Sequence, residues 1–178
     1  MRKIVAGFAI SLDGYIAGLN NEFDWIIVDK EIDFAEQMKR FDTYFLGRKT
    51  YELIKNMGGN SFGKSKVYIF SNTLKKVENP FHLINKNVKE SIEKIKKETG
   101  KDIAVWGGGE LLTSLLNLNL IDEISAAVIP IILGEGIPFV REINKRVLLT
   151  LINSKIYANG TVALTYNVNK IIYQSSLK

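Results

Sequence analysis

The residues best suited to chemistry are glycines that follow a buried strand and open a helix. The strand Asp102–Trp106 runs directly into three glycines, and the leucine-rich helix Glu110–Asn117 follows. Glycine lets a ligand approach the backbone closely, and the first amides of a helix attract anions. The pattern is neither Gly-x-Gly-x-x-Gly nor Gly-x-x-x-x-Gly-Lys-Ser/Thr. It predicts a pyrophosphate site of a less common type. The candidate contacts are Gly107, Gly108, Gly109 and Glu110.

A second junction of strand, glycine and helix lies earlier in the chain. Gly47 follows the short strand Thr43–Leu46, and Arg48–Asn56 has the pattern of a helix. Basic side chains at the start of a helix face the positive end of its dipole, and a bound anion would offset that conflict. We therefore predict a second phosphate site. Its candidate contacts are Gly47, Arg48, Lys49 and Thr50.

Polar residues also follow the third strand, Lys66–Phe70. Ser71 and Asn72 come first, two lysines follow shortly after, and no acid occurs before Glu78. In nucleotide-binding enzymes a carboxylate at such a strand end binds a ribose 2′-hydroxyl, whereas hydroxyls and cations suit a 2′-phosphate. If Ser71 and Asn72 meet the adenosine half of a dinucleotide, the sequence favours NADPH over NADH.

Composition excludes several other kinds of site. The chain has no cysteine and one histidine, His82, so thiolate sites, disulfides and multi-histidine metal sites are excluded, and we predict no metal. The remaining groups suit an enzyme whose difficult chemistry is carried by a borrowed cofactor. The net charge of +5 also fits nucleic acid, but the lysines are dispersed among glutamates, so we predict no nucleic-acid partner.

Strands alternate with helices through most of the chain, and β-rich sequence closes it. This predicts an α/β fold with a mostly parallel central sheet flanked by helices and an antiparallel C-terminal hairpin around Asn159-Gly160. We expect one domain over residues 1–178, with 170–178 as a tail. No membrane span or signal peptide is indicated, so the prediction is a cytoplasmic protein. The other predicted elements are the helices Asp29–Phe41 and Val88–Thr99 and the strands Lys3–Ile10, Phe81–Ile84, Ile121–Ile129, Arg146–Ala158 and Thr161–Val168.

Together these motifs resemble the dihydrofolate reductase superfamily, which includes the reductase domain of riboflavin biosynthesis. The resemblance covers roughly Lys3–Val168 and rests on several motifs in order. They are Ala9-x-x-Leu12-Asp13-Gly14-x-Ile16-Ala17-Gly18, Gly47-Arg48-Lys49-Thr50-Tyr51-Glu52, Ser71-Asn72-Thr73, Val105-Trp106-Gly107-Gly108-Gly109 and Ile129-Pro130-x-x-Leu133-Gly134-x-Gly136-Ile137-Pro138.

The resemblance implies a role for each motif. The first motif places Ala9 and Ile16 where backbone groups of the family contact the nicotinamide carboxamide. The loop Gly18–Trp25 would cover the nicotinamide. Family members carry a cis peptide in the glycine pair, which corresponds here to Gly107–Gly108.

The resemblance also implies a carboxylate that grips the substrate and assists its protonation. Three acids are candidates: Asp29, Glu31 and Asp33. Counting back from the Gly47 motif indicates Glu31, whereas counting forward from Trp25 falls on Lys30, between two of the acids. On a helix, Asp29 and Asp33 would share one face. The choice among the three stays open at this point.

The implied activity is hydride transfer from NADPH to a pteridine- or pyrimidine-type heterocycle in a homodimeric oxidoreductase. One alternative is the reductase of riboflavin biosynthesis that acts on 5-amino-6-(5-phosphoribosylamino)uracil. Against it, Tyr15 stands where that branch usually has lysine. A second alternative is a regulator that binds the dinucleotide without turnover. A membrane partner is not expected.

Overall fold

The computed structural model describes residues 1–58 and 62–169. Four helices and ten strands are found there. The helices are α1 (Phe34–Met38), α2 (Arg48–Asn56), α3 (Val88–Lys97) and α4 (Gly109–Asn117). The strands are β1 (Ile4–Ser11), β2 (Tyr15–Ala17), β3 (Phe41–Gly47), β4 (Lys66–Phe70), β5 (His82–Ile84), β6 (Asp102–Trp106), β7 (Glu123–Ile129), β8 (Ile137–Pro138), β9 (Leu148–Ile156) and β10 (Val162–Asn169).

Eight strands form one sheet in the order β5-β4-β3-β6-β1-β7-β10-β9. The neighbours from β5 to β7 pair in parallel, and β10 pairs antiparallel with both β7 and β9. The predicted fold class is therefore confirmed. The six strands from β5 to β7 in this order all run in one direction. Their carboxyl ends therefore lie along a single edge, where loops lead into the helices.

Alternate residues of the central strands face two apolar layers. Phe45, Ile103 and Val105 point to the side covered by α3 and α4, whereas Tyr44 and Leu46 point to the side where Tyr51 of α2 packs. This alternation follows from the two-residue period of a strand. Both faces of the central sheet are thus covered. α2 and α4 lie on opposite faces, and both helices begin at the carboxyl edge.

The predicted helix Asp29–Phe41 is wrong. Residues 18–33 contain neither helix nor strand, α1 begins only at Phe34, and Phe41 already belongs to β3. The cause is local. The carboxylate of Asp33 caps the helix by accepting a hydrogen bond from the Glu36 N–H at 2.9 Å. Asp29 likewise accepts from the Glu31 N–H at 3.0 Å, and such bonds compete with helical hydrogen bonding.

Most other predicted boundaries agree with the structure to within a few residues. The helix that opens at Arg48 and the strands Lys66–Phe70 and Asp102–Trp106 have the predicted bounds. The C-terminal hairpin is present, although its first strand starts at Leu148 instead of Arg146. The expected tail, 170–178, lies outside the described residues, and the single-domain organisation stays a prediction.

Candidate active site

The two predicted phosphate sites lie side by side. β3 and β6 are neighbours in the sheet, so Gly47 and the glycines that follow Trp106 come together at the carboxyl edge. A Cβ added to Gly107 would lie 2.7 Å from Thr50 Oγ1, and one added to Gly47 would lie 3.9 Å from Leu111 Cβ. The starts of α2 and α4 therefore lie close together at this edge.

Neither of these helices has a side-chain cap at its start. Gly47 and Gly108 occupy the N-cap positions of α2 and α4, and neither helix has a side-chain capping hydrogen bond, in contrast to α1 with Asp33. The first N–H groups of a helix have no partner within it. Two nine-residue helices thus present backbone donors, with the positive ends of their dipoles, to the same place.

The glycine turn before α4 uses a backbone that other residues rarely adopt. Gly107 and Gly108 have φ values of 81° and 87°. Among the described residues the cis peptide bond is Asn79–Pro80, so the cis bond expected at Gly107–Gly108 is wrong. The two glycines make the turn through positive φ angles, which are open to them because they lack a Cβ.

The charged residues of both turns are paired across the helix starts. Arg48 Nη1 donates to both carboxylate oxygens of Glu52, each at 3.0 Å, one helical turn away. Lys49 Nζ lies 3.8 Å from Glu110 Oε1, and both side chains are mostly exposed. Exposed pairs of this kind contribute little to stability, so the cations can turn towards an anion at small cost.

The third predicted segment, Ser71-Asn72, lies next to the start of α2. β4 pairs with β3, and Phe70 is opposite Gly47. Ser71 Oγ accepts hydrogen bonds from the N–H groups of Thr73 (3.2 Å) and Leu74 (3.0 Å) and so shapes the turn, while Asn72 is exposed. The structure therefore brings Asn72, more than the Ser71 hydroxyl, into a position open to a ligand.

The residues predicted to contact the nicotinamide lie on the side of the glycine turn opposite Gly47. Ala9 is on β1, whose Gly7 is opposite Trp106. Ile16 is on β2, which pairs with β8. A Cβ added to Gly109 would lie 3.6 Å from Ile16 Cδ1 and 2.7 Å from the Pro138 carbonyl oxygen. The small sheet of β2 and β8 thus packs against the first residue of α4.

A cavity of about 360 Å³ lies beneath the loop predicted to cover the nicotinamide. Residues of that loop line one side, including Glu22 and Trp25, and Leu133 and Glu135 line the other. The indole Nε1 of Trp25 is buried and has no hydrogen-bond partner. A buried donor without a partner is uncommon in folded proteins. The cavity therefore presents several carboxylates to a polar ligand, and an unpartnered donor belongs to one of its lining residues.

The three candidate acids do not share one environment. Asp33 caps α1, and the exposed Glu31 carboxylate lies 3.1 Å from Lys155 Nζ. Asp29 is buried and accepts hydrogen bonds from the N–H groups of Glu31 (3.0 Å) and Asn159 (3.1 Å). These two bonds, that of Glu31 first, lower the pKa of Asp29 below its ordinary value, since they favour the charged form.

Two residues near the site were not singled out from the sequence. Asp13 accepts hydrogen bonds from Ser11 Oγ (2.6 Å) and from the N–H groups of Leu133 (3.2 Å) and Gly134 (2.8 Å), and the Ser11 bond is the largest cause of its lowered pKa. Asn159 donates through Nδ2 to the Ile27 carbonyl at 2.9 Å. In the sequence, Asp13-Gly14 and Asn159-Gly160 are typical of turns. Their neighbouring residues do not indicate hydrogen bonds to such distant parts of the chain.

Trp106 is 45% exposed at the carboxyl edge and packs edge-on against Phe62, with 5.3 Å between ring centroids. In residues 1–58 and 62–169, no cluster of three or more histidines and acids has a metal-binding arrangement. None of the helices in these two ranges has the length and apolarity needed to cross a membrane.

Comparison with known proteins gives a family match over most of the chain. The model of the RibD C-terminal domain family matches residues 2–163. The Bacillus subtilis protein YyaP, itself uncharacterized, is 34% identical over 180 residues, which cover 94% of this chain and 96% of YyaP.

Solved structures share the fold. A putative riboflavin biosynthesis protein from Shewanella sp. PV-4 has a TM-score of 0.83 at 24% identity, with 94% of this chain and 99% of that chain covered. The Thermotoga maritima diaminohydroxyphosphoribosylaminopyrimidine deaminase/5-amino-6-(5-phosphoribosylamino)uracil reductase has a TM-score of 0.69 at 15% identity, covering 94% of this chain and 57% of that one. Enterococcus faecalis dihydrofolate reductase, solved with NADP(H), has a TM-score of 0.62 at 18% identity, covering 94% and 96%.

Proposed function

This chain belongs to the RibD C-terminal domain family, and on that premise we propose that it is an NADPH-dependent reductase that transfers hydride to a pteridine- or pyrimidine-type substrate. The family match and the dihydrofolate reductase fold confirm the resemblance inferred from the sequence.

One observation carries the proposal: two helices that lack side-chain caps begin side by side at the carboxyl edge, each behind a glycine. This donor set fits the pyrophosphate of a dinucleotide, because backbone N–H groups and the helix dipoles favour an anion there. Gly47, Gly107, Gly108 and Gly109 would let the phosphates approach the backbone. Thr50 Oγ1, beside Gly107, would supply a further hydrogen bond.

When bound, the reduced nicotinamide supplies the hydride, and the protein supplies orientation and a dry environment. Ala9 and Ile16 would hold the ring through their backbone groups on the far side of Gly109. The loop Gly18–Trp25 would exclude water from the reacting carbon. The buried Trp25 Nε1 is a donor that a polar atom of the substrate, or a water between them, would satisfy.

Reduction of the substrate also consumes one proton, for which a carboxyl group near the substrate is a candidate donor. Because its pKa is lowered, Asp29 is ionised at neutral pH and suits binding of an N–H group better than donation of a proton. Glu31 and Asp33 are both exposed. Single changes of Asp29→Asn, Glu31→Gln and Asp33→Asn should identify the acid that meets the substrate, since that change lowers turnover at saturating NADPH and leaves NADPH binding intact.

The first experiment is a thermal-shift comparison of NADPH with NADH. A ligand at about 100 times its dissociation constant that binds only the native state adds roughly 2.7 kcal/mol, or about 7 °C in Tm for a chain of this size. We expect that shift with NADPH, and a clearly smaller one with NADH at the same concentration. Equal shifts would remove the argument from Ser71, Asn72 and the following lysines. No shift with either dinucleotide would contradict the cofactor assignment.

A second candidate function is the reduction of 5-amino-6-(5-phosphoribosylamino)uracil, favoured by the family match and by the Thermotoga maritima neighbour. Turnover of this substrate and of dihydrofolate, each measured by NADPH oxidation, separates the two candidates. The carboxylates that line the loop cavity, including Glu22 and Glu135, favour a substrate without a phosphate at that end. NADPH binding with no oxidation of any pteridine or pyrimidine would instead support a non-catalytic regulator.

We also propose a homodimer that uses β9. All nine residues of this strand are exposed, and five of them are leucine or isoleucine with exposed fractions of 42% or more. A long apolar strand at the edge of a sheet tends to pair with another chain, and a second copy supplies a matching strand. Sedimentation of the protein and of Leu151→Lys should show a dimer and a monomer, respectively. The cytoplasmic location stays a prediction.

A further inference from the structure

The segment 27–31, which carries two of the candidate acids, has no regular secondary structure of its own. Its position depends on contacts with distant parts of the chain, and three of these contacts come from the C-terminal hairpin. Asn159 Nδ2 donates to the Ile27 carbonyl at 2.9 Å, and the Asn159 N–H donates to Asp29 Oδ2 at 3.1 Å. Lys155 Nζ lies 3.1 Å from Glu31 Oε2.

The hairpin turn does not need the first of these contacts to form. The Gly160 N–H donates to the Tyr157 carbonyl at 3.0 Å, and Gly160 has a φ of 85°, as in a type I turn followed by a left-handed glycine. The Asn159 side chain supports the turn through Oδ1, which accepts from the Thr161 N–H at 3.0 Å. The amide nitrogen Nδ2 instead leaves the turn and binds the acid segment.

The contact between Asp29 and the hairpin is buried. Asp29 is 8% exposed, and its two carboxylate oxygens are divided between the segment and the hairpin: Oδ1 accepts from the Glu31 N–H, and Oδ2 accepts from the Asn159 N–H. The carboxylate therefore joins the two regions as a bridge. Neighbouring Thr161 is 1% exposed, so the turn itself is packed in place.

We propose that Asn159 is a positioning residue for substrate binding, because the turn of the C-terminal hairpin sets the conformation of the segment 27–31 through it. The inference rests on the proposed function, in which this segment meets the substrate. The proposed dinucleotide site lies at the starts of α2 and α4 and shares no hydrogen bond with Asn159. Loss of the Nδ2 contact should therefore act on the substrate and spare NADPH.

The size of the effect follows from a population argument. If the segment spends only part of its time in the binding conformation, the apparent affinity falls by that fraction. Loss of a hydrogen bond of ordinary net strength lowers the population of the binding conformation. We expect the KM for the substrate to rise roughly fivefold as a result. We expect kcat to change by less than about twofold, since the chemistry of the bound complex is unchanged.

The deciding variant is Asn159→Asp. Asp-Gly suits a hairpin turn as well as Asn-Gly does. Asp also keeps the oxygen that accepts from the Thr161 N–H, but it cannot donate to the Ile27 carbonyl. Asn159→Ala removes both side-chain contacts. The matched controls are Asn144→Asp and Asn144→Ala, which make the same changes at an exposed position that precedes β9.

Each variant is measured in two ways. Steady-state kinetics use saturating NADPH with dihydrofolate or 5-amino-6-(5-phosphoribosylamino)uracil, whichever the wild-type protein reduces faster, together with the Kd for NADPH. Hydrogen exchange follows the amides of residues 27–31, of which the Glu31 N–H is bonded to Asp29. The exchange measurement does not require turnover.

We expect both Asn159 variants to raise KM about fivefold and to exchange faster at residues 27–31, with NADPH affinity unchanged and the Asn144 controls at wild-type values. Asn159→Asp at wild-type values, with only Asn159→Ala impaired, would show that the side chain serves the turn alone and would overturn the proposal. Unchanged exchange in both variants would also overturn it. If the wild-type protein reduces neither compound, the proposed function fails for these substrates, and the exchange result still decides whether Asn159 holds the segment.

Discussion

The two edges of the central sheet are built in opposite ways. At the amino edge, charged side chains are paired with each other: buried Glu123 accepts hydrogen bonds from Lys3 and Arg40, and Arg2 binds Asp42 and Thr43. At the carboxyl edge, the starts of α2 and α4 present glycines and backbone N–H groups without side-chain caps. The difference indicates that the first edge serves stability, and that the second keeps its donors available for a ligand.

One carboxylate at the carboxyl edge departs from this contrast. Asp29 lies on the carboxyl side, yet its carboxylate is fully engaged by backbone N–H groups, as the acids of the amino edge are engaged by cations. Even at an edge that binds a ligand, loops without regular secondary structure need hydrogen bonds of this kind to hold their position. Four changes test the contrast between the edges, beginning with the largest expected effect.

Gly108→Ala should nearly abolish cofactor binding. The added methyl group would stand before the first amides of α4 and hinder close approach of the phosphates. Losing two hydrogen bonds to a charged group corresponds to about a 100-fold rise in the Kd for NADPH. Gly58→Ala is the matched control, because Gly58 has nearly the same φ (86° against 87°) and lies at the other end of α2. Each change should cost about 1 kcal/mol of stability through backbone strain, but only Gly108→Ala should weaken NADPH binding.

Glu123→Gln should act on stability and spare the cofactor. Glu123 is 3% exposed and accepts from two cations, so its neutral isostere leaves both without their buried partner. Because Lys3 and Arg40 are partly exposed, the loss should be about 2 kcal/mol, below that of a fully buried pair. Urea unfolding measures the loss, and the Kd for NADPH should stay at the wild-type value. A large change in that Kd would contradict the division of roles between the edges.

Thr50→Ala should weaken NADPH binding by about tenfold, the value of one hydrogen bond to a charged group. The Oγ1 atom lies beside Gly107, where the phosphates are proposed to bind. Thr99→Ala, at the amino edge, removes the same atoms from an exposed residue and should leave the affinity unchanged. Isothermal titration with NADPH compares the two variants, and equal affinities would exclude a role for this hydroxyl.

Asp29→Asn should give the smallest effect, one that depends on pH. The folded protein lowers the pKa of Asp29, so the ionised carboxylate stabilises the native state above the ordinary pKa, and this contribution is lost as pH falls through the folded value. We expect the variant to have a lower Tm than wild type at pH 7, and the gap to close in acid. Asp24→Asn, at an exposed position nearby, is the control. A gap that widens in acid would have the wrong sign.

The glycine turns could be predicted because their signals are local. A buried strand followed by glycine and an amphipathic helix fixes the turn, and parallel pairing then brings Gly47 and Gly107 to one edge. Residues 29–33 were predicted wrongly as the start of a helix for the same local reason, since their apolar and acidic pattern suits a helix. In the folded chain the Asp29 carboxylate binds the N–H groups of Glu31 and Asn159, and the second of these lies 130 residues away.

By itself, the sequence determined the α/β fold class, the order of most elements and the glycine-rich helix starts, because these depend on periodicity and on residues close in the chain. Only the tertiary structure decided which side chains join regions distant in sequence: Asp13 with Leu133 and Gly134, and Asn159 with Ile27. Such contacts depend on how the loops meet once the sheet has formed. The residues around a turn give no signal of the distant group with which a turn side chain will form a hydrogen bond.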